Sequence, residues 1–123
     1  MPHLVLEYSS NVKETGSFEP LFKELHQVLV HVASTQLESC KSRAVSRDVF
    51  YIGDGNPKNA FVHLDICLAE GRSLEVREEI GRLMLEILGR YFAKSLNDLN
   101  LQITVESREF PRNLYFKIPS GTV

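Results

Sequence analysis

Residues 61–68 read Phe61-Val62-His63-Leu64-Asp65-Ile66-Cys67-Leu68, and Val62, Leu64, Ile66 and Leu68 recur at period two. That alternation predicts a strand with one buried face. Gly71 then supplies a turn and Ser73 a helix cap. Val76, Ile80, Leu83, Met84, Ile87, Leu88 and Tyr91 follow on one helical stripe. Leu99-Asn100-Leu101-Gln102-Ile103-Thr104-Val105-Glu106 alternates again and predicts a second strand. The segment therefore reads strand, helix, strand.

The first half of the chain carries the same order. Pro2 to Tyr8 place Leu4, Leu6 and Tyr8 on one strand face. Ser17 is expected to cap a helix whose stripe is Phe18, Leu21, Phe22, Leu25, Val28, Leu29 and Val32. Pro20 fits there because first-turn amides have no intrahelical acceptor to lose. Cys40 to Tyr51 read as a less regular extended stretch, and Asp54-Gly55-Asn56-Pro57 is a strong turn that divides the chain. His3-Leu4 and His63-Leu64 recur at matching places, and Leu114 to Ile118 could add a short edge strand.

The expected fold is α+β: two βαβ repeats, about 2–52 and 58–107, forming one mixed sheet with two helices on one face. A single domain spans 1–123, with a short C-terminal tail over 108–123. The second sheet face is left uncovered, so a homo-oligomer that buries it is expected.

Composition agrees with a folded core. The chain has 123 residues, 43% of them hydrophobic and 24% charged, which excludes intrinsic disorder. Its net charge of −2 argues against a nucleic-acid or anionic-membrane partner. No apolar run approaches the roughly 20 residues that span a bilayer, and MPHLVLEY does not read as a secretory signal. Cys40 and Cys67 are expected to be buried free thiols of a reducing compartment, the cytoplasm.

Three features could carry chemistry. Pro2 would become a free secondary amine if Met1 is removed; an α-amino group ordinarily titrates near 8, and burial or nearby cations lower that value. A neutral amine so placed is a general base whose conjugate acid can return the proton elsewhere. Arg72, beside a helix N-terminus, offers a fork for a carboxylate. Lys41, Arg43 and Arg47 share one face of an extended segment, either solvated or holding an anion. His3 and His63 lack the partners of a metal site, and His26 and His31 stand five apart, so no metal is expected. Gly53-Asp54-Gly55 reads as a turn, and no phosphate loop or nucleophile elbow is present.

These residues resemble a known family. Met1-Pro2-His3-Leu4-Val5-Leu6-Glu7, Lys41-Ser42-Arg43, Gly53-Asp54-Gly55, Phe61-Val62-His63 and Gly71-Arg72-Ser73-Leu74-Glu75 with Arg77 stand in the order found in 5-carboxymethyl-2-hydroxymuconate delta-isomerases. That family belongs to the tautomerase superfamily, with 4-oxalocrotonate tautomerase and macrophage migration inhibitory factor. The resemblance covers residues 2 to 118 and implies a β-α-β repeat fold and a homotrimer with sites near subunit interfaces.

It further implies a cofactor-free isomerase of 4-hydroxyphenylacetate breakdown that converts a carboxylate-bearing hydroxydiene to its 2-oxo isomer. Carried onto this sequence, Pro2 and Arg72 are the catalytic pair, and Lys41 and Arg43 bind the substrate. Lys41 stands where the family has an arginine, which keeps the charge and loses the planar two-point grip. The alternatives are a tautomerase for a different enol acid and a non-catalytic trimeric binding module.

Overall fold

The computed structural model describes residues 1–121; Thr122 and Val123, the end of the expected tail, lie outside the described residues. The elements are β1 (His3–Ser9), α1 (Glu19–Ala33), β2 (Lys41–Arg47), β3 (Asn59–Ala69), α2 (Leu74–Tyr91), α3 (Ala93–Asp98) and β4 (Asn100–Phe110). Single 3-10 turns cover Leu37–Ser39 and Arg112–Leu114. The sheet runs β2-β1-β3-β4. β1 pairs with β2 and β3 with β4 in parallel, while β1 and β3 meet antiparallel at the centre. The two expected βαβ units therefore form one mixed sheet, joined through their first strands.

Even-numbered residues of β1 and β3 point at the helices. Leu4, Leu6, Val62, Leu64, Ile66 and Leu68 are fully buried against Leu21, Leu25 and Leu29 of α1 and Ile80, Met84 and Leu88 of α2. Each such side chain contributes about 1.5–3 kcal/mol by leaving water. α1 repeats Leu21, Leu25, Leu29 and Ala33 every four residues, so one face alone enters the core. It stops at Ser34, which takes the left-handed conformation at φ 56° while the Thr35 amide donates to the Leu29 carbonyl at 3.2 Å.

The second sheet face is open in the single chain, as expected, yet it is polar. Arg47 pairs with Glu7 at 2.6 Å, Arg108 with Asp65 at 2.5 Å, and His63 with Glu106 at 3.6 Å. The exposed apolar surface lies elsewhere. Leu114, Phe116 and Ile118 project from the C-terminal segment, and Leu74 and Leu85 border a groove of about 1180 Å³ between α2 and β4.

Five local expectations need correction. Phe18, not Ser17, occupies the N-cap position of α1; the Ser17 hydroxyl accepts from the Glu19 amide at 3.3 Å, one step early. Regular pairing in the Cys40–Tyr51 stretch is confined to Lys41–Arg47, and β4 runs on to Phe110, past the expected start of the tail. Leu114 to Ile118 form no strand; the segment begins as a 3-10 turn and is pinned by Tyr115 stacking on Phe110 at 4.4 Å. α3 is an addition, six residues long and thus too short to show a helical period. The Glu14 carboxylate holds it by accepting from the Ser95 amide at 3.0 Å. Cys40 and Cys67 are free thiols, half-buried rather than buried.

Candidate active site

Pro2 lies one residue before β1 and is buried on the helix side, in line with Leu4 and Leu6. Its carbonyl accepts from the Lys41 amide at 3.2 Å. Continuing the antiparallel register of β1 and β3 sets Pro2 opposite Leu68 and Met1 opposite Ala69. The terminus is thus the end of a central strand, facing the loop that leads from β3 into α2.

That loop carries Arg72. Gly71 before it has φ +119°, a backbone region that side-chain-bearing residues rarely enter. The Arg72 guanidinium is half-buried and held on three sides. Nε donates to the Ala33 carbonyl at 3.1 Å, Nη1 to the Ala69 carbonyl at 3.1 Å, and Nη2 to the Thr35 hydroxyl at 3.2 Å. Of five guanidinium N–H groups, two remain for a ligand. Ser73 does cap α2, accepting from the Val76 amide at 3.2 Å, so the helix keeps its positive end beside the arginine.

The amine of Met1 stands one residue outward from the nitrogen that removal of Met1 would uncover. Its pKa is held below the ordinary 8.0, first by burial, then by Arg72 and Lys41, with Arg112 adding a smaller push and Cys40 opposing. The Lys41 ammonium itself donates to the Ser39 carbonyl at 3.1 Å. Lys117 reaches the same corner, with Nζ 3.5 Å from the Met1 sulfur. Cations from three separate parts of the chain therefore gather around the terminus.

Arg43 does not join them. It lies on the open sheet face, where Nη1 donates to His3 Nδ1 at 3.1 Å, and His3 Nε2 is 2.8 Å from the Tyr115 hydroxyl. Acceptance at Nδ1 fixes the proton of neutral His3 on Nε2. Within one chain the charges of Lys41 and Arg72 reach the terminus, while Arg43, on the same face of β2 as Lys41 but two residues further along, lies across the sheet from Pro2 and turns to His3. Arg47 is occupied by Glu7. His26 bonds the Ser42 hydroxyl at 2.6 Å and His31 the Gln27 side chain at 3.0 Å. Among the described residues no cluster of three His, Cys, Asp or Glu side chains could hold a metal.

Sequence reasoning missed Arg112. The parallel pairing of Ala69 with Phe110 brings the end of β4 beside the β3–α2 loop. A basic residue just past β4 was the available signal.

Residues 2–120 match the family described as 5-carboxymethyl-2-hydroxymuconate isomerase. The chain belongs to this family. The match begins at Pro2, one residue inward from the Met1 amine around which the cations gather. The 5-carboxymethyl-2-hydroxymuconate Delta-isomerase of Escherichia coli is 30% identical over 117 residues, covering 95% of this chain and 93% of that one. A crystal structure of a 5-carboxymethyl-2-hydroxymuconate isomerase from Deinococcus radiodurans R1 superposes with a TM-score of 0.87 at 30% identity, over 95% of this chain and 88% of that one. At the level of fold alone, a fused 4-OT symmetric trimer superposes with a TM-score of 0.63 at 14% identity, over 98% of this chain and 94% of that one. The protein is an isomerase of the 5-carboxymethyl-2-hydroxymuconate type with the tautomerase fold.

Proposed function

We propose that this isomerase converts 5-carboxymethyl-2-hydroxymuconate, or a similar hydroxydiene carboxylate, to its 2-oxo isomer, with Pro2 as general base and acid after loss of Met1. Neutral Pro2 nitrogen takes the proton of the substrate's 2-hydroxyl, and the electron pair left on oxygen forms the carbonyl as the double bonds shift. The prolinium then delivers that same proton to the far carbon of the diene. One proton moves from oxygen to carbon and the amine is regenerated, so the step balances within the substrate and Pro2.

What supports this most is the setting of the tethered strand end, where burial, Arg72 and Lys41 lower the basicity of the Met1 amine one residue outward from the Pro2 nitrogen. A base with a pKa near the working pH is both free to accept and able to return a proton. Arg72 and Lys41 would hold substrate carboxylates and spread the charge of the dienolate, and fixed donors serve that purpose because they need no reorganisation as charge develops. The test is the loss of dienol ultraviolet absorbance over a small panel of dienol acids, comparing the processed protein with one that keeps Met1. Turnover by the Met1-retaining form at the processed rate would refute the role of Pro2, since an amide nitrogen has no basic lone pair.

Assembly as a homotrimer belongs to the same proposal. A fold neighbour at 14% identity is a symmetric trimer. Exposed Leu114, Phe116 and Ile118 and the groove between α2 and β4 supply apolar surface for contacts between copies. A trimer would also let Arg43, which lies across the sheet from Pro2 in its own chain, serve the site of a neighbour. The free thiols suit a reducing cytoplasm.

A further inference from the structure

We infer that Arg112 is a further carboxylate-binding residue, set so that its guanidinium and that of Arg72 grip the two ends of a dicarboxylate. The inference rests on the reading of this strand end as the substrate site, and deepens it by assigning a residue and a specificity.

The geometry begins with two consecutive carbonyls. Ala69 accepts from Arg72 Nη1 at 3.1 Å and Glu70 accepts from Arg112 Nε at 2.8 Å. The end of β3 therefore anchors both arginines through successive carbonyls, although they are far apart in sequence, and the charge of Arg112 reaches Arg72. The Arg112 backbone is fixed as well, its amide donating to Glu70 Oε2 at 2.7 Å. Pro111 before it and the stacked pair Phe110 and Tyr115 around it restrain the turn.

What remains free decides the chemistry. Nε of Arg112 is spent on a carbonyl, while no acceptor lies within hydrogen-bond reach of its Nη1 or Nη2 among the described residues. A carboxylate can take both terminal groups. Nearby acids are already engaged: Glu70 receives the Arg112 amide, and Glu109 lies 3.5 Å from Arg77 Nε. Arg112 packs over Gly71, with Nη2 3.7 Å from where a Cβ would stand, so its direction is set by the loop that positions Arg72. The Met1 amine and Arg72 both feel its charge, which places it within electrostatic range of the strand end. A merely solvated arginine would have neither the backbone anchor nor this company.

Calorimetric binding of two non-reacting probes to the full-length protein tests the assignment. Adipate has a carboxylate at each end; hexanoate has one on the same carbon chain. Arg112→Ala is expected to weaken adipate by about tenfold or more, the scale of a lost charge-assisted hydrogen bond. Hexanoate should change by less than about twofold, and Arg112→Lys should recover part of the adipate affinity. Equal losses for both probes, an unchanged adipate affinity, or a wild-type protein that prefers hexanoate would each overturn the inference. No turnover is read, so the outcome is separate from the fate of Pro2: a Pro2→Ala protein that isomerises at full rate removes the base and leaves the adipate result standing.

Discussion

The Lys41 amide donates to the Pro2 carbonyl across 3.2 Å, continuing the β1–β2 ladder one residue beyond His3. One hydrogen bond thus ties the residue that would be the base to the strand that bears a neighbouring cation. An N-terminus fixed in this way has a defined distance to its surroundings, which a frayed one lacks.

Replacing the base should show in the chemical step. Processed Pro2→Ala keeps a terminal amine of different basicity and reach, and kcat/KM should fall by roughly 10²–10⁴, the usual worth of a positioned general base. KM should move little. Stopped-flow loss of dienol absorbance measures both.

The pH profile follows from the amine. Only its neutral form accepts a proton, so kcat/KM should rise with pH and level off above a midpoint lying below that of an ordinary secondary amine, because burial, Arg72 and Lys41, which lower the Met1 amine one residue outward, disfavour the cation at this strand end. Lys41→Ala removes one of those charges and should move the midpoint upward. A midpoint that stays put would show that Lys41 does not act on the reacting nitrogen.

Arg72→Ala should damage two properties at once. The side chain ties the end of α1 to the end of β3 through Ala33, Thr35 and Ala69. Losing these contacts should destabilise the protein by about 1–3 kcal/mol, read from denaturant unfolding, and should raise KM. The stability cost was not visible from sequence, which suggested an arginine free for substrate.

Stability should decline on mild acidification. His3 is held below its ordinary 6.5 by burial, then by Arg43 and Lys41, and His26 by burial. Each charges less readily when folded than when unfolded. The stability so gained is full above about 6.5 and is lost as pH falls through the lower folded values. Unfolding midpoints in urea at pH 7.5 and pH 5 measure this, and His26→Gln should reduce the difference.

The fold was legible because its signals repeat. Val62, Leu64, Ile66 and Leu68 alternate without a break and are buried as expected, as are Ile80, Met84, Ile87 and Leu88 of the α2 stripe, while Leu83 is only half-buried. The mixed sheet with both helices on one face was legible from the doubled βαβ pattern. What escaped depends on contacts between distant segments. The six residues of α3 are held by Glu14, and Leu114 to Ile118 have no strand neighbour among the described residues. At the site, Pro2, Lys41 and Arg72 carried local cues: a strand start, a basic stretch and a helix cap. Arg43 shares the face of Lys41 in β2 but sits two residues further along the strand, in register with Val5, where it meets His3 rather than the terminus. Arg112 was hidden because only the β3–β4 register brings it to the terminus.

Nitrogen NMR titration of processed protein labelled with 15N-proline reads the proposed base itself. The Pro2 resonance should titrate well below an ordinary secondary amine, at the same pH as the inflection in kcat/KM. A Pro2 nitrogen that titrates at the ordinary value, or an inflection that occurs while its protonation is unchanged, would contradict the account.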